Sequence, residues 1–332
     1  MMNPKFITWF GHREKRKNFS RQTGLICALL ISGIAYAKSP PKIAECDVFP
    51  ADHIWNVPVD NLPVDANSDA YITTIGTDAH LHPDFGSWWE GIPIGIPYNI
   101  VSGLEPKVSV NFDYYSESDP GPYPIPPSPS IEGGDDRHLL VVDRGNCVLY
   151  ELYRAILQPD GSWHAGSGAI FDLKSYQLRP ETWTSADAAG LPILPGLVRY
   201  EEVASGEINH AIRFTARQTR GEYIWPARHK ASNLTSFQYP PMGQRFRLRA
   251  NFDISSFSSQ VQVILRALKK YGIILADNGG NWFITGVHDE RWDNDILAEL
   301  KKVKGSDFEA VDVSSLIIEP NSGQARSMPT SE

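Results

Sequence analysis

The sequence predicts a mainly β fold, a β-sandwich or jelly-roll-like core with one or two docked α-helices. Three observations favour it: many short segments with strand patterning, turn-forming residues between them, and few segments with helical periodicity. The 332 residues include 26 Gly and 25 Pro, and 42% of them are apolar. This composition is typical of a turn-rich globular protein and excludes a disordered chain, a collagen and a coiled coil.

The N-terminal residues 1–37 have the three features of a secretory signal peptide. A basic region with six Lys or Arg residues precedes an apolar stretch from Leu25 to Ala35, and Ala35-Tyr36-Ala37 gives a cleavage pattern with small residues. The apolar stretch is too short to span a bilayer, so we predict no membrane span and a secreted or periplasmic location. The export route stays open, because the basic region lacks the arginine pair of a twin-arginine signal.

Segments with strand patterning follow one another along the rest of the chain. Some alternate apolar and polar residues, which places the apolar set on one face of a half-buried strand, and others are continuous apolar runs. Arg144-Gly145-Asn146 separates two such runs and predicts a hairpin with a glycine at its turn. The predicted strands are 108–112, 138–143, 147–154, 168–173, 209–216, 245–250, 273–276 and 282–285.

Two segments have helical patterning. Apolar residues recur at helical spacing over 258–271, and Gly272 is placed to end that helix in the left-handed conformation. A second helix is predicted over 293–303, with Asp293 as its N-cap. The proline-rich segment 119–129 is predicted to be extended and to lie on the surface.

The charge and cysteine content both change when the leader is removed. The whole sequence carries −8, and losing six basic residues and one acidic residue leaves about −13. An acidic chain repels polyphosphate, so we predict no nucleic-acid partner. Cys46 and Cys147 remain, and in an oxidising compartment we predict one disulfide between them, with two unpaired buried thiols as the alternative. That bridge favours a single β-rich domain over 38–318, followed by a disordered tail over 319–332.

A basic run is the first candidate for a binding site. Residues 213–249 carry a net charge of +7, and Arg245 and Arg247 share one face of a predicted strand. Because arginine binds carboxylates in a bidentate manner, Arg213, Arg245 and Arg247 are candidates for contact with an anionic sugar. The alternative is that the run pairs internally with the acidic segment 113–143.

The titratable residues give several candidates for catalysis, each with a structural alternative. His210 is a candidate general base or a satisfied core residue. Asp187 lies in a turn that it could cap, and Asp277 lies in a turn sequence that follows an apolar strand. Glu151 lies among apolar and aromatic residues, so burial is expected to raise its pKa, and pairing it with Asp187 or Asp277 would give a two-carboxylate glycosidase.

Aromatic residues point to a sugar ligand. Eight of the nine tryptophans follow the leader, many of them beside Gly, Asn, Ser or His, and flat rings with a polar handle suit half-wet grooves. Trp225 and His229 are therefore candidate substrate-binding residues, with core packing as the alternative. The histidines show no metal-ligand spacing, so we predict no metal and no other cofactor, and a divalent metal is kept as an alternative.

The function predicted from these features is a secreted carbohydrate-active enzyme that cleaves a polysaccharide. Signatures of serine esterases, zincin proteases and nucleotide enzymes are missing from the sequence. For a polyuronate the reaction would be β-elimination, with Arg213 and Arg247 on the uronate carboxylate and His210 removing the proton. The alternatives are a two-carboxylate glycoside hydrolase and a non-catalytic glycan-binding or envelope-associated protein. The oligomeric state stays open.

Overall fold

A computed structural model describes residues 39–326 together with the single residue Gly11. The predicted signal peptide and residues 327–332 of the predicted tail lie outside the described residues. No helix in the described part is long and apolar enough to cross a membrane.

The described chain contains seventeen strands and four α-helices. The strands are β1 (Lys42–Ile43), β2 (Cys46–Asp47), β3 (His82–Asp84), β4 (Trp88–Trp89), β5 (Ile92–Pro93), β6 (Tyr98–Val101), β7 (Val110–Phe112), β8 (Leu139–Asp143), β9 (Val148–Tyr153), β10 (Ile156–Leu157), β11 (Trp163–Ala165), β12 (Ser167–Asp172), β13 (Ile212–Ala216), β14 (Arg245–Leu248), β15 (Ile273–Asn278), β16 (Phe283–Thr285) and β17 (Phe308–Val311). The helices are α1 (Ser68–Ile75), α2 (Tyr200–Ser205), α3 (Ser259–Lys270) and α4 (Asn294–Leu297). The prediction of a mainly β fold is confirmed, with more helices than the one or two expected.

Two sheets carry most of the fold. The larger has six strands in the order β17-β14-β15-β13-β16-β3, and the smaller has four in the order β12-β9-β8-β6. The predicted hairpin is present as the antiparallel pair β8 and β9. Strand β16 returns antiparallel to β15, but the two strands are not neighbours, because β13 lies between them and pairs with both.

The four-stranded sheet is buried on both faces. Leu140 and Val142 belong to the larger core, whereas Leu139 and Val141, one residue out of phase, belong to a second core, as the alternation of side chains along a strand requires. The second core includes Tyr123 from the proline-rich segment, which is 1% exposed. That segment is therefore packed at its centre rather than lying wholly on the surface, because it carries a large aromatic ring between its prolines.

The predicted helix ends are confirmed. Helix α3 is followed by Gly272 at a φ of +66°, and a Cβ there would lie 2.0 Å from the Phe246 carbonyl oxygen, so only glycine fits this turn. The Asp293 carboxylate caps α4 by accepting from the amides of Asp295 and Ile296 at 2.9 and 3.2 Å. Helix α4 is shorter than predicted and continues as a 3₁₀ turn over Ala298–Lys302.

The two chain ends of the described part are fastened to the fold. Cys46 and Cys147 form the predicted disulfide, with a Cα–Cα distance of 5.5 Å across 101 positions of sequence. Near the C-terminus, the Gly323 amide donates to the Tyr176 carbonyl at 2.6 Å and the Ala325 amide donates to the Asp52 carbonyl at 2.8 Å. Residues 319–326 of the predicted tail thus include a segment that is hydrogen-bonded to the body of the protein.

Candidate functional site

The arginines of β14 anchor a segment of the chain to the six-stranded sheet. Arg245 is 1% exposed, and its guanidinium donates to the carbonyls of Tyr271, Ile54 and Val57 at 2.7, 3.1 and 3.4 Å. Burial lowers its pKa to about 9, so it stays charged at neutral pH. These three hydrogen bonds all lie inside the protein. Arg245 is not among the described residues that line the cavity presented below.

Arg247 has the same kind of environment. It donates to the carbonyls of Val59 and Leu62 at 2.6 and 2.9 Å and forms an ion pair of 2.8 Å with Glu309 of β17. The pairing partner of this arginine is therefore an acidic residue on the neighbouring strand rather than one from 113–143. The structure places neither Arg245 nor Arg247 where a sugar in the cavity would reach them.

His210 is also enclosed. Its side chain has no exposed surface, with Nδ1 at 2.7 Å from the Ala211 carbonyl and Nε2 at 3.1 Å from a Glu202 carboxylate oxygen. Glu202 in turn pairs with Arg199. The structure puts His210 in the environment of a satisfied core histidine, apart from the described lining of the cavity.

Glu151 and Trp225 support loops around the site. Both oxygens of the fully buried Glu151 carboxylate accept from the Ile193 amide, and one also accepts from the Leu194 amide, at 2.9–3.0 Å. Burial raises the pKa of Glu151 to about 7, as predicted. The Trp225 indole donates to the Ser322 carbonyl at 2.8 Å. Neither residue is among those described as lining the cavity.

A cavity of about 370 Å³ is lined by three of the remaining candidates, Asp187, Asp277 and His229. It lies where the end of β15 meets the segment 184–188 and the loops beside the four-stranded sheet. Its ionisable lining comprises four carboxylates, one imidazole and two phenols: Glu117, Asp136, Asp187, Asp277, His229, Tyr114 and Tyr153. A concave site with converging carboxylates is the usual place for acid–base chemistry.

Arg213 fixes the two aspartates of this cavity. From β13 its Nε and Nη2 donate to the two oxygens of Asp187 at 2.6 and 2.8 Å, a bidentate pair with a buried carboxylate. Its Nη1 donates to the Thr285 hydroxyl at 2.6 Å, and Nη2 lies 3.4 Å from an Asp277 oxygen. The arginine is thus fully engaged within the protein and positions both carboxyl groups.

Asp277 keeps its proton at neutral pH. Burial, followed by the charge of Asp187, raises the pKa of Asp277 to about 8, and a hydrogen bond joins the two carboxyl groups. Asp187 has no side-chain exposure, whereas 26% of the Asp277 side chain is exposed. The arrangement therefore presents a protonated carboxyl group to the cavity, with a charged carboxylate held behind it by Arg213.

The segment 182–190 places Asp187 by local hydrogen bonds. The Ser185 hydroxyl accepts from the Asp187 amide at 2.9 Å and lies 2.5 Å from the Leu191 carbonyl, to which it donates. Gly190 turns the chain at a φ of +70°, where a Cβ would meet the Trp183 carbonyl oxygen at 2.5 Å. The predicted capping turn thus has a second use, because it holds its own aspartate against Arg213.

Glu117 and His229 form the opposite part of the ionisable lining. The His229 Nδ1 lies 2.8 Å from the Ala188 carbonyl, so this nitrogen carries a proton and donates it. The His229 Nε2 lies 3.7 Å from a Glu117 oxygen, which is beyond hydrogen-bond distance, and that oxygen accepts from the Thr184 amide at 3.3 Å. Glu117 is therefore oriented by one backbone amide. Sequence reasoning did not single out this residue.

A second set of charges adjoins the cavity. His138 lies 2.5 Å from a Glu132 oxygen and 3.2 Å from the Ala186 carbonyl. Burial opposes the charged form of His138, but the hydrogen bond and charge of Glu132 outweigh it and raise the His138 pKa. Partial loss of hydration also raises the pKa of Asp84, although this residue is exposed, and Arg213 opposes the effect. These groups surround Arg213 with more acidic than basic side chains.

The sequence identified Arg213, Asp187, Asp277 and His229, and the structure brings these four together. The sequence analysis did not single out Glu117 or Asp136. Both residues lie in the acidic segment 113–143, which the sequence analysis considered only as a partner for the basic run. The sequence did not show that this segment lies beside the four-stranded sheet, so it did not predict that the two residues line the cavity.

Within the described residues, no group of three or more His, Cys, Asp or Glu side chains is arranged to hold a metal ion. Comparisons with protein-family models, curated proteins and solved structures find no match to this chain.

Proposed function

We propose that the protein is a glycoside hydrolase that cleaves a polysaccharide of uncharged sugars outside the cytosol. The observation that carries the proposal is the Asp277 carboxyl group, which holds its proton at neutral pH and faces a cavity. Glycoside hydrolysis requires such a group, because the leaving oxygen must be protonated as the bond breaks. The disulfide and the basic–apolar leader support export.

Asp277 is the proposed general acid. It would donate its proton to the glycosidic oxygen, and the carboxylate left behind would be stabilised by the Arg213 guanidinium 3.4 Å away. Asp187 is a positioning residue in this scheme. Its charge disfavours ionisation of Asp277 before the reaction, and its bidentate bond keeps Arg213 in place.

The second carboxylate must come from another part of the cavity. In glycosidases the two carboxyl groups stand at least about 5 Å apart, whereas Asp187 and Asp277 are joined by a hydrogen bond. Glu117 lines the same cavity, accepts a hydrogen bond from the Thr184 amide and has the His229 ring beside it. We propose Glu117 as the nucleophile or as the base that activates water.

The lining charges favour this reaction over β-elimination of a polyuronate. Four carboxylates line the cavity, and His229 is the basic residue among its described lining. Arg213 already donates to both carboxylate oxygens of Asp187 through Nε and Nη2. Few of its N–H groups are therefore left to bind the carboxylate of a uronate. A polyanionic substrate would be repelled by this lining.

The test is a polysaccharide panel that monitors new reducing ends and absorbance at 235 nm. We expect reducing ends without absorbance, and a loss of about 10²–10⁴-fold in kcat for Asp277→Asn and for Glu117→Gln. Asp135→Asn, which changes an exposed carboxylate outside the cavity lining, is the matched control and should keep full activity.

Other outcomes would overturn the proposal. Absorbance at 235 nm together with new ends would indicate a lyase, and binding without cleavage would indicate a glycan-binding protein. For the hydrolase, kcat/KM should also fall as the pH rises above about 8, because Asp277 then loses its proton. A rate that instead rises through this range would assign Asp277 a different role.

A further inference from the structure

The hairpin formed by β4 and β5 presents an exposed aromatic surface. The two strands pair antiparallel, with Trp89 opposite Ile92, and are joined by Glu90 and Gly91, both at positive φ of 50° and 79°. Such a two-residue turn suits the twist of a tight hairpin. Because cross-strand partners share a face, Trp89 and Ile92 form one apolar surface, and they are 64% and 57% exposed.

The hairpin is held in place, so this exposure does not come from a loose end. The Asn294 side chain of α4 donates to the Trp88 carbonyl at 3.0 Å and accepts from the Ser87 amide at 3.0 Å. The Trp88 ring packs edge-on against His288 at 5.3 Å. Trp88 thus fastens the hairpin through its carbonyl and one edge of its ring, although 47% of it stays exposed, and Trp89, on the opposite face, is more exposed still.

The same hairpin contacts the loop that supplies Asp136 to the cavity. A Cβ on Gly133 would lie 3.6 Å from a methyl group of Ile92 and 3.9 Å from the Pro93 carbonyl oxygen. Three positions further along this loop, Asp136 lines the cavity. The apolar surface and the cavity are therefore connected by a single short segment of chain.

We propose that the Trp89–Ile92 surface binds a sugar ring of the same polysaccharide chain whose scissile bond lies in the cavity. This inference rests on the proposed function and names its substrate class more closely: a polymer long enough to leave the cavity, with uncharged pyranose rings. The apolar C–H face of a pyranose stacks on an indole, and the exposed Glu90 beside it can accept hydrogen bonds from sugar hydroxyls.

The experiment compares Trp89→Ala with Phe237→Ala, both in the inactive Asp277→Asn background. Phe237 is a matched control because it is an exposed aromatic residue, 69% accessible, outside the hairpin. Binding is measured by affinity electrophoresis in gels that contain each polymer of the panel, and by titration with a disaccharide of the same sugar. Thermal melts check that both variants fold.

We expect Trp89→Ala to weaken binding of the polymer about 10-fold, the loss typical of one stacking contact. The affinity for the disaccharide should not change, and Phe237→Ala should bind both ligands normally. Equal loss for polymer and disaccharide, or no loss for either, would overturn the inference. The inference would also be overturned if the Asp277→Asn protein did not bind the polymer. A change in sedimentation on Trp89→Ala would overturn it as well, because it would mark the surface as a contact between copies of the chain.

The two proposals fail in different ways. If Asp277→Asn retains full hydrolytic activity, the role of Asp277 is wrong, while a polymer-specific loss in Trp89→Ala would still establish the glycan surface. If Asp277→Asn is inactive and Trp89→Ala is indistinguishable from its parent, the surface is wrong and the hydrolase proposal stands.

Discussion

Replacement of Asp277 by asparagine should change how stability depends on pH. Asparagine has the shape of a protonated aspartate and can still donate to Asp187, so the variant should fold normally in acid. In the native protein the pKa of Asp277 is raised from 3.8 to about 8, by burial and then by the charge of Asp187. Between these values the folded chain holds one more proton at this site than the unfolded chain does.

The sign and the size of the effect follow from that extra proton. Because the native state binds more protons, its free energy of unfolding falls by about 1.4 kcal/mol for each pH unit between 4 and 8. The asparagine variant lacks this slope. Relative to the wild type, it should therefore gain about 4 kcal/mol between pH 5 and pH 8.

Urea denaturation of both proteins at pH 5, 6, 7 and 8 measures this difference. Glu151 and Asp84 also have raised pKa values, but they are present in both proteins and cancel in the comparison. The mechanism would be refuted if the difference in free energy of unfolding between the two proteins stayed the same from pH 5 to pH 8, or if the variant became relatively less stable as the pH rose. Either result would mean that Asp277 is ionised in the native protein.

Three further changes test the fold around the site. Gly272→Ala should destabilise the protein by more than about 2 kcal/mol in a thermal melt, because its Cβ would lie 2.0 Å from a carbonyl oxygen. The matched control is Gly206→Ala, at a φ of +92° with nothing within 4 Å of the added Cβ, which should destabilise the protein by about 1 kcal/mol. Arg245→Met should cost about 3 kcal/mol or more, since it leaves buried carbonyls without donors, whereas the exposed Arg266→Met should be neutral in the same urea titration. Reduction of the disulfide should lower the unfolding free energy by about 2 to 5 kcal/mol, and an unchanged urea midpoint would contradict that role.

Local patterns predicted the elements whose partners are close in sequence. Helix α3 and its terminal Gly272, the Asp293 cap and the β8–β9 hairpin all depend on residues within a few positions of each other. The position of β13 between β15 and β16 depends on chain segments about 60 residues apart. No periodicity in either segment carries that information, so the sequence predicted strands at 273–276 and 282–285 but not that β13 lies between them.

The candidate site was partly predictable for the same reason. Asp187 and Asp277 stood out because each lies in a turn-forming sequence, where a side chain can be aimed into a cleft. In the structure Asp277 lies within β15, near its end. Their contact, and the contact of both with Arg213, depends on how three distant segments meet. Glu117 gave no local signal, because the groups beside its carboxylate, the Thr184 amide and the His229 ring, are distant in sequence.

The use of arginine in this protein explains why a cluster of positive charge need not mark a binding site. An arginine buried without a carboxylate can satisfy its donors on backbone carbonyl groups, as Arg245 does, and it then fastens chain segments together. An arginine buried with one carboxylate is neutralised, as Arg213 is by Asp187. A second carboxyl group buried beside that pair, here Asp277, loses hydration and adds a negative charge that the one guanidinium does not balance, so it retains its proton instead. The chemistry proposed for the cavity therefore follows from the burial of Asp277 and from the excess of carboxyl groups over guanidinium groups around Arg213.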